Sequence, residues 1–318
     1  MLSNLLFLGF GLVCAAIGGE LFVRGVLGVA WWLRLPASVI GATVAAFATS
    51  SPELTVAINA AADDHSEIAL GDALGSNIVN VGLVVGLLLL AGAAARDLSN
   101  CDALTALGLT VLMGFLVLDG ELQVTDGVVL LIAVAGWLAY TLGRAFEQRE
   151  ARPSEGEADD EAFQAVAEPK HGRSIVEALF GLVLLIAAGK LLVVGAKGLG
   201  DDLGLSTFVV GVVLVSLGTS LPELATAISA RVRGHTELGL GTVLGSNILN
   251  TSFIVGIATV ISPIDVQRRD VWISLGVGAA MLVVLVWRVR GVTLGRWRGV
   301  VLISMYAAVL VVLLALQA

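Results

Sequence analysis

The sequence predicts an all-α polytopic membrane protein of about ten transmembrane helices, arranged as two inverted five-helix repeats. Three observations predict this class. The 318 residues are 57% hydrophobic and 14% charged, whereas an average soluble domain is about 25% charged. Mostly apolar stretches long enough to cross a bilayer, roughly 20 residues each, recur ten times. The chain also repeats itself at one fixed spacing.

The spans fall near 5–30, 37–62, 68–94, 103–119, 124–143, 175–199, 206–231, 237–262, 270–288 and 299–317. Span 1 lacks a basic start and its apolar run is too long for a cleaved signal. Within it, Glu20 and Arg24 form an i, i+4 pair read as a local ion pair. Span 2 carries the string TSSPEL at 49–54, and span 3 carries GSNIVNVGLVVG at 75–86. Asp72, four residues before Ser76, either adds charge to one mouth of a site or, as the favoured reading, caps or flanks the start of span 3. Spans 4 and 5 carry no comparable motif. Asp63, Asp64, Asp119 and Asp126 read as solvated loop or helix-start residues. The stretch 147–173 is charged, carries two prolines and reads as a solvated linker. It lacks the Asp-x-Asp-x-Asp-Gly loop of a calcium sensor. Lys190 and Lys197 of span 6 snorkel or pair with other side chains. Span 7 returns the first motif as TSLPEL at 219–224, and span 8 returns the second as GSNILNTSFIVG at 245–256.

The offset between the copies is 170 residues for both Glu53/Glu223 and Asn80/Asn250. It also relates Gly11 to Gly181, Gly19 to Gly189, Gly25 to Gly195, Gly41 to Gly211, His65 to His235 and Gly71 to Gly241. The expected organisation is therefore a first repeat at 1–146, the linker at 147–173 and a second repeat at 174–318. Five is odd, so the repeats enter the membrane from opposite sides. Inverted repeats with a site at their interface near the midplane are a transporter architecture.

Basic residues set the orientation. With the N-terminus outside, the cytoplasmic connections hold Arg34, Arg96, Arg144, Arg149, Arg152, Lys170, Arg173, Arg231, Arg233, Arg288, Arg290, Arg296 and Arg298. The other face holds Arg268, Arg269 and Lys197. Both termini are expected outside and the linker in the cytoplasm, with the chain integral to a plasma (inner) membrane.

Composition excludes other classes. Eighteen basic against 26 acidic residues leave no basic face for nucleic acid. Cys14 and Cys101 supply neither a disulfide framework nor a Cys-rich metal site. No phosphate-binding glycine loop or nucleophile elbow is present, so neither an enzyme nor ATP-driven transport is expected. No resident cofactor is expected. The expected partners are small inorganic cations and the bilayer, and oligomeric state is unreadable.

The duplicated motifs carry the chemistry. Proline lacks an N–H and clashes with the carbonyl four residues back, so Pro52 frees the carbonyl of Ala48 and Pro222 that of Gly218. With Thr49, Ser50, Thr219 and Ser220 these carbonyls form clusters of hard oxygen donors. Glu53 and Glu223 add charge, which costs about 2.5–3.5 kcal/mol each at the bilayer centre. Two acids facing each other repel unless they hold a cation or protons. Ser76 and Asn80 share one helical face, as do Ser246 and Asn250. An all-oxygen set suits Ca²⁺ better than copper or zinc. Taken singly, the first motif reads equally as a proline kink and the second as a packing motif; their duplication at one offset favours a transport site.

Residues 49–54, 75–80, 219–224 and 245–250 resemble the two alpha-repeats of the sodium/calcium exchanger family. The resemblance implies Na⁺/Ca²⁺ exchange by alternating access, with Ca²⁺ and Na⁺ bound as substrates. It implies Glu53 and Glu223 as shared central ligands and backbone oxygen from Thr49 and Thr219. Ser50, Ser76, Ser220, Ser246, Asn80 and Asn250 lie around them, and carbonyls of Ala46 and Ser216 complete flanking sodium sites. It further implies a sliding gate made of spans 1 and 6. The chain departs from the family pattern at Asn250, where an aspartate is common, and at Asp72, where small or amide residues are common. The first repeat also reads Ala48-Thr49-Ser50-Ser51 in place of Gly-Thr-Ser-Leu. With only two acids the site carries −2, which one Ca²⁺, two Na⁺ or two H⁺ neutralise; the expectation is weakly electrogenic or electroneutral exchange. The alternatives are a Ca²⁺/H⁺ exchanger on the same scaffold and, more remotely, a non-transporting membrane scaffold.

Overall fold

The computed structural model describes residues 1–32, 43, 45–93, 100–151, 171–232, 236–266, 268–287 and 295–317. All ten predicted spans contain helix. The helices are α1 (Leu2–Trp32), α2 (Ala46–Thr49 and Ser51–Ala62) and α3 (Ser66–Ile78, Val79–Val85 and Gly86–Leu90). They continue with α4 (Asn100–Leu116), α5 (Val124–Ala151) and α6 (His171–Leu203). The remainder are α7 (Thr207–Val210, Gly211–Val215, Ser216–Thr219 and Leu221–Val232), α8 (Thr236–Leu249, Asn250–Ile254 and Val255–Ile261), α9 (Arg268–Val286) and α10 (Arg296–Ala315). Among the described residues, eight helices are long and apolar enough to cross a membrane, and Cys101–Leu116 is a shorter apolar helix. Most of the start of span 2 lies outside the described residues, as do most of the 147–173 stretch and several of the basic residues used to set orientation. The structure differs from the sequence expectation at the ends of α5 and α6. The first runs into the charged stretch as far as Ala151, and the second starts at His171 and has 33 residues. A helix of that length measures about 50 Å, well beyond a hydrocarbon core of about 30 Å.

The inversion is visible in which helix ends meet. The Met1 amine pairs with Asp202 at 2.5 Å, so α1 begins where α6 ends. Arg231, closing α7, donates to the carbonyl of Ala91 beyond α3 at 2.8 Å. Arg269, opening α9, donates to Leu316 beyond α10 at 2.9 Å. On the same face as Arg269, a two-residue ribbon pairs β1 (Glu121–Leu122) with β2 (Ile264–Asp265), tying the α4–α5 connection to the α8–α9 connection. These are the ends that spans alternating in direction bring together.

Packing follows the same two-fold pattern. α2 lies against α8 as α7 lies against α3, and α10 backs α3 as α5 backs α8. α4 packs on α9, while α1 and α6 form the most extensive helix pair of the molecule. Small residues permit these approaches. A Cβ on Gly71 would stand 2.4 Å from the Phe208 carbonyl, and one on Gly75 would stand 2.7 Å from Val212 Cα. The exposed faces of α1, α5, α6 and α10 carry large apolar side chains such as Phe10, Ile132, Val183 and Val311, as a lipid-facing surface requires.

The helices nearest the centre are not uniformly α-helical. Val79–Val85 of α3, Asn250–Ile254 of α8 and Gly211–Val215 of α7 are π-helical, and so are Thr43 and Ala45 ahead of α2. The 170-residue offset relates the first pair of segments and, separately, the second. π-turns shift the carbonyl register and recur at functional sites; here they lie within both copies of the second motif and just ahead of both copies of the first.

Candidate functional site

Each copy of the Thr-Ser-x-Pro-Glu string breaks its helix at the serine. α2 stops at Thr49, passes through Ser50 and restarts at Ser51 with Pro52 in its first turn, where a missing N–H costs nothing. α7 does the same at Ser220. The break is not equally open in the two repeats. Ser51 Oγ donates to the Ala48 carbonyl at 2.6 Å, so the carbonyl that Pro52 was expected to free is taken up within the helix. The corresponding residue in α7 is Leu221, which has no hydroxyl to play that part. The carbonyls of Ala46 and Ser216 also accept bonds from their own helices. Ala46 receives the Ser50 N–H at 3.0 Å and Thr49 Oγ1 at 3.2 Å, and Ser216 receives the Ser220 N–H at 3.1 Å and Thr219 Oγ1 at 3.3 Å.

All twelve residues singled out from the sequence are buried: Ala46, Thr49, Ser50, Glu53, Ser76, Asn80, Ser216, Thr219, Ser220, Glu223, Ser246 and Asn250. The repeats interleave at this point. Thr49 of α2 meets Ser246 of α8 at 3.2 Å, and in the mirrored position Ser76 of α3 meets Thr219 of α7 at 3.3 Å. Ser246 donates to Glu223 Oε1 at 3.1 Å, while Ser220 donates to Glu53 Oε1 at 3.5 Å. Both glutamates are fully enclosed and close enough for the charge of Glu53 to act on Glu223.

Several side-chain polar atoms in this region have no hydrogen-bond partner. Glu53 Oε2, Glu223 Oε2, Asp72 Oδ2, Asn80 Oδ1 and both side-chain atoms of Asn250 are buried without a hydrogen-bond partner. Buried polar atoms are nearly always satisfied, and exceptions call for an ion or water. Among the described residues, no three His, Cys, Asp or Glu side chains converge on a single point. The acids are instead spread across the two-fold axis with hydroxyls between them.

Two features depart from the favoured sequence reading. Asp72 does not cap or flank the start of α3. The helix begins at Ser66, so Asp72 lies two turns in, 1% exposed, and its Oδ1 accepts from Thr219 Oγ1 at 2.9 Å. The cause is the close α3–α7 approach at Gly71 and Gly75, which brings the adjoining Asp72–Ser76 face against Thr219. Asp72 is thus a third buried carboxylate in this region, beside Glu53 and Glu223.

The second is an amide lattice joining α3 to α8. Asn80 Nδ2 donates to Asn247 Oδ1 at 3.0 Å, Asn247 Nδ2 to the Asn77 carbonyl at 3.3 Å, and Asn77 Nδ2 to Thr251 Oγ1 at 2.6 Å. The duplicated Asn that closes each Gly-Ser-Asn, Asn77 and Asn247, was the available signal. Interhelical hydrogen bonds in membrane proteins contribute about 0.6–1.7 kcal/mol each. Asn247→Ala, which removes two of them, is expected to lower stability by about 1–3 kcal/mol, read as a fall in the thermal midpoint of purified protein. Asn59→Ala, which removes only a bond within α2, is expected to change the midpoint less.

Comparison with known proteins agrees with this architecture. The family model for sodium/calcium exchanger protein matches residues 3–143 and 174–315. The sodium/calcium exchanger MaX1 of Methanosarcina acetivorans is 30% identical, with 98% of each chain covered. The inner membrane protein YrbG of Escherichia coli is 31% identical over 84% of this chain and 83% of its own. Among solved structures, the sodium-calcium exchanger NCX_Mj, soaked with 10 mM Na⁺ and 10 mM Sr²⁺, superposes with a TM-score of 0.65 at 27% identity, covering 98% of both chains.

Proposed function

The chain belongs to the sodium/calcium exchanger protein family, and on that premise we propose that it is a secondary antiporter exchanging Na⁺ for Ca²⁺. The observation that carries this reading is the pair of fully buried glutamates, one from each inverted repeat, each with an oxygen that no protein group satisfies. Glu53 and Glu223 act as the charged ligands. The hydroxyls of Thr49, Ser50, Ser76, Thr219, Ser220 and Ser246, the amide oxygens of Asn80 and Asn250, and the carbonyls of Ala46 and Ser216 complete the oxygen shell. Such a shell replaces the hydration of a hard cation without supplying a thiol or imidazole that would favour softer metals.

Exchange follows from charge. An empty site would leave carboxylates in a low-dielectric interior, so the bare protein does not readily change its facing direction, whereas a cation-loaded one does. Ca²⁺ and Na⁺ compete for the same oxygens, which couples the movement of one to that of the other. The α1–α6 pair is the moving part in this reading. Gly19 of α1 lies over both Pro222 and Pro52, with an added Cβ 2.9 and 3.6 Å away, so the pair crosses the two helix breaks directly. The bias of basic residues favours termini outside and the α5–α6 connection in the cytoplasm of a plasma membrane.

Calcium efflux from loaded proteoliposomes tests the coupling. An inward Na⁺ gradient at clamped pH is expected to drive ⁴⁵Ca²⁺ out, and a pH gradient without Na⁺ is not. The reverse pattern would assign the chain to Ca²⁺/H⁺ exchange.

A further inference from the structure

We propose that Asp72 is a third cation-binding carboxylate of this site and gives its Glu53 side a preference for divalent ions. The inference rests on the Ca²⁺-site reading above and deepens it. Asp72 is enclosed, its Oδ2 has no partner, and among the described residues no Lys, Arg or His forms an ion pair with it. What surrounds it is oxygen. Thr219 Oγ1 lies 2.9 Å from its Oδ1, and Thr219 is itself 3.3 Å from both Ser76 Oγ and the Ser216 carbonyl oxygen. Glu53 is near enough for the two acids to repel. Hydroxyl protons alone do not offset two carboxylates in such an enclosure, and a cation shared between them does.

The two-fold relation turns this into a statement about selectivity. The residue related to Asp72 by the 170-residue offset is Thr242, which is buried in α8 and uncharged. The Glu53 side therefore carries two acids and the Glu223 side one, although the hydroxyls around them are matched: Ser76 and Thr219 on the first side, Ser246 and Thr49 on the second. The amide positions do not alter the balance, since Asn80 and Asn250 are both neutral. Oxygen sites tune Ca²⁺ affinity by ligand charge count, so a doubly charged side holds the divalent ion and a singly charged side suits Na⁺.

Equilibrium ⁴⁵Ca²⁺ binding to the purified full chain, with Na⁺ as competitor, tests the assignment. Asp72→Asn is expected to weaken Ca²⁺ binding about tenfold or more, while the Na⁺ concentration that displaces bound ion changes by less than about threefold. Moving the acid to the mirrored position, as Asp72→Thr with Thr242→Asp, is expected to restore most of the Ca²⁺ affinity. The assignment is overturned if Asp72→Asn binds Ca²⁺ as the unmodified chain does. It is also overturned if both ions weaken equally, as a packing role would produce, or if the exchanged pair does not recover. Failure of both Asp72→Asn and Asp72→Thr to assemble would place Asp72 in folding instead. An unmodified chain that binds no Ca²⁺ would overturn the exchanger reading together with this one, whereas normal binding with indifferent variants overturns Asp72 alone.

Discussion

Replacing Glu53 or Glu223 with glutamine is expected to reduce Na⁺-driven ⁴⁵Ca²⁺ transport at least a hundredfold while leaving the folded protein intact. Glutamine matches glutamate in shape and still accepts the bonds now donated by Ser220 and Ser246, so packing is preserved. What is removed is one unit of charge beside the cation. At contact distance and an effective dielectric near 20, such a charge contributes about 4 kcal/mol, and each 1.4 kcal/mol is tenfold in affinity. The amide also presents an N–H₂ toward the ion, which adds repulsion. Thermal midpoints of the variants should stay near or above the unmodified value, because a buried acid without a counterion burdens the empty protein. Transport that survives either change would show that the buried acids serve folding alone.

The second large effect is expected at the α1–α6 seam. A Cβ on Gly25 would meet the Ala178 nitrogen at 2.3 Å and the Ser174 oxygen at 2.6 Å, and one on Gly181 would meet the Phe22 nitrogen at 2.5 Å. These neighbours are backbone atoms, which cannot rotate aside, so even alanine forces the two helices apart. Overpacking of this kind costs about 1–3 kcal/mol. Gly25→Ala and Gly181→Ala are each expected to cut transport tenfold or more, because the pair would no longer seat Gly19 over Pro52 and Pro222. Gly9→Ala on the same helix has open space around it and should transport normally. Equal activity in all three variants would remove the seam from the mechanism.

Much of this was legible in the sequence because the determining signals are local or repeated. The apolar runs show the helices, and the duplicated motifs show which of them face the centre. The ten residues carried by those motifs, and Ala46 and Ser216 just ahead of them, are enclosed, and the cross-contacts Thr49–Ser246 and Ser76–Thr219 show the repeats interleaving there. Family membership, read from the same motifs, agrees with the matched residues 3–143 and 174–315.

What was not legible depends on interhelical distance. Asp72 follows the pattern of a helix-start aspartate, and only the approach of α7 at Gly71 and Gly75 makes it an interior residue. The lattice of Asn77, Asn80, Asn247 and Thr251 requires α3 and α8 to cross at one register, which no single-helix pattern encodes. Ser51 illustrates a subtler limit. Its departure from the usual leucine was visible, but its use as the donor for the Ala48 carbonyl needed the broken helix itself. The two-residue ribbon between β1 and β2 is too short to leave any periodic signal.

The most direct test is to locate the ion. The full chain crystallised with Sr²⁺ in place of Ca²⁺ is expected to show an anomalous peak between the helix breaks at Ser50 and Ser220, within coordination distance of carboxylate oxygens from Glu53 and Glu223. A peak confined to surface acids such as Asp63 or Asp126, with the buried glutamates turned away from any ion, would contradict the account.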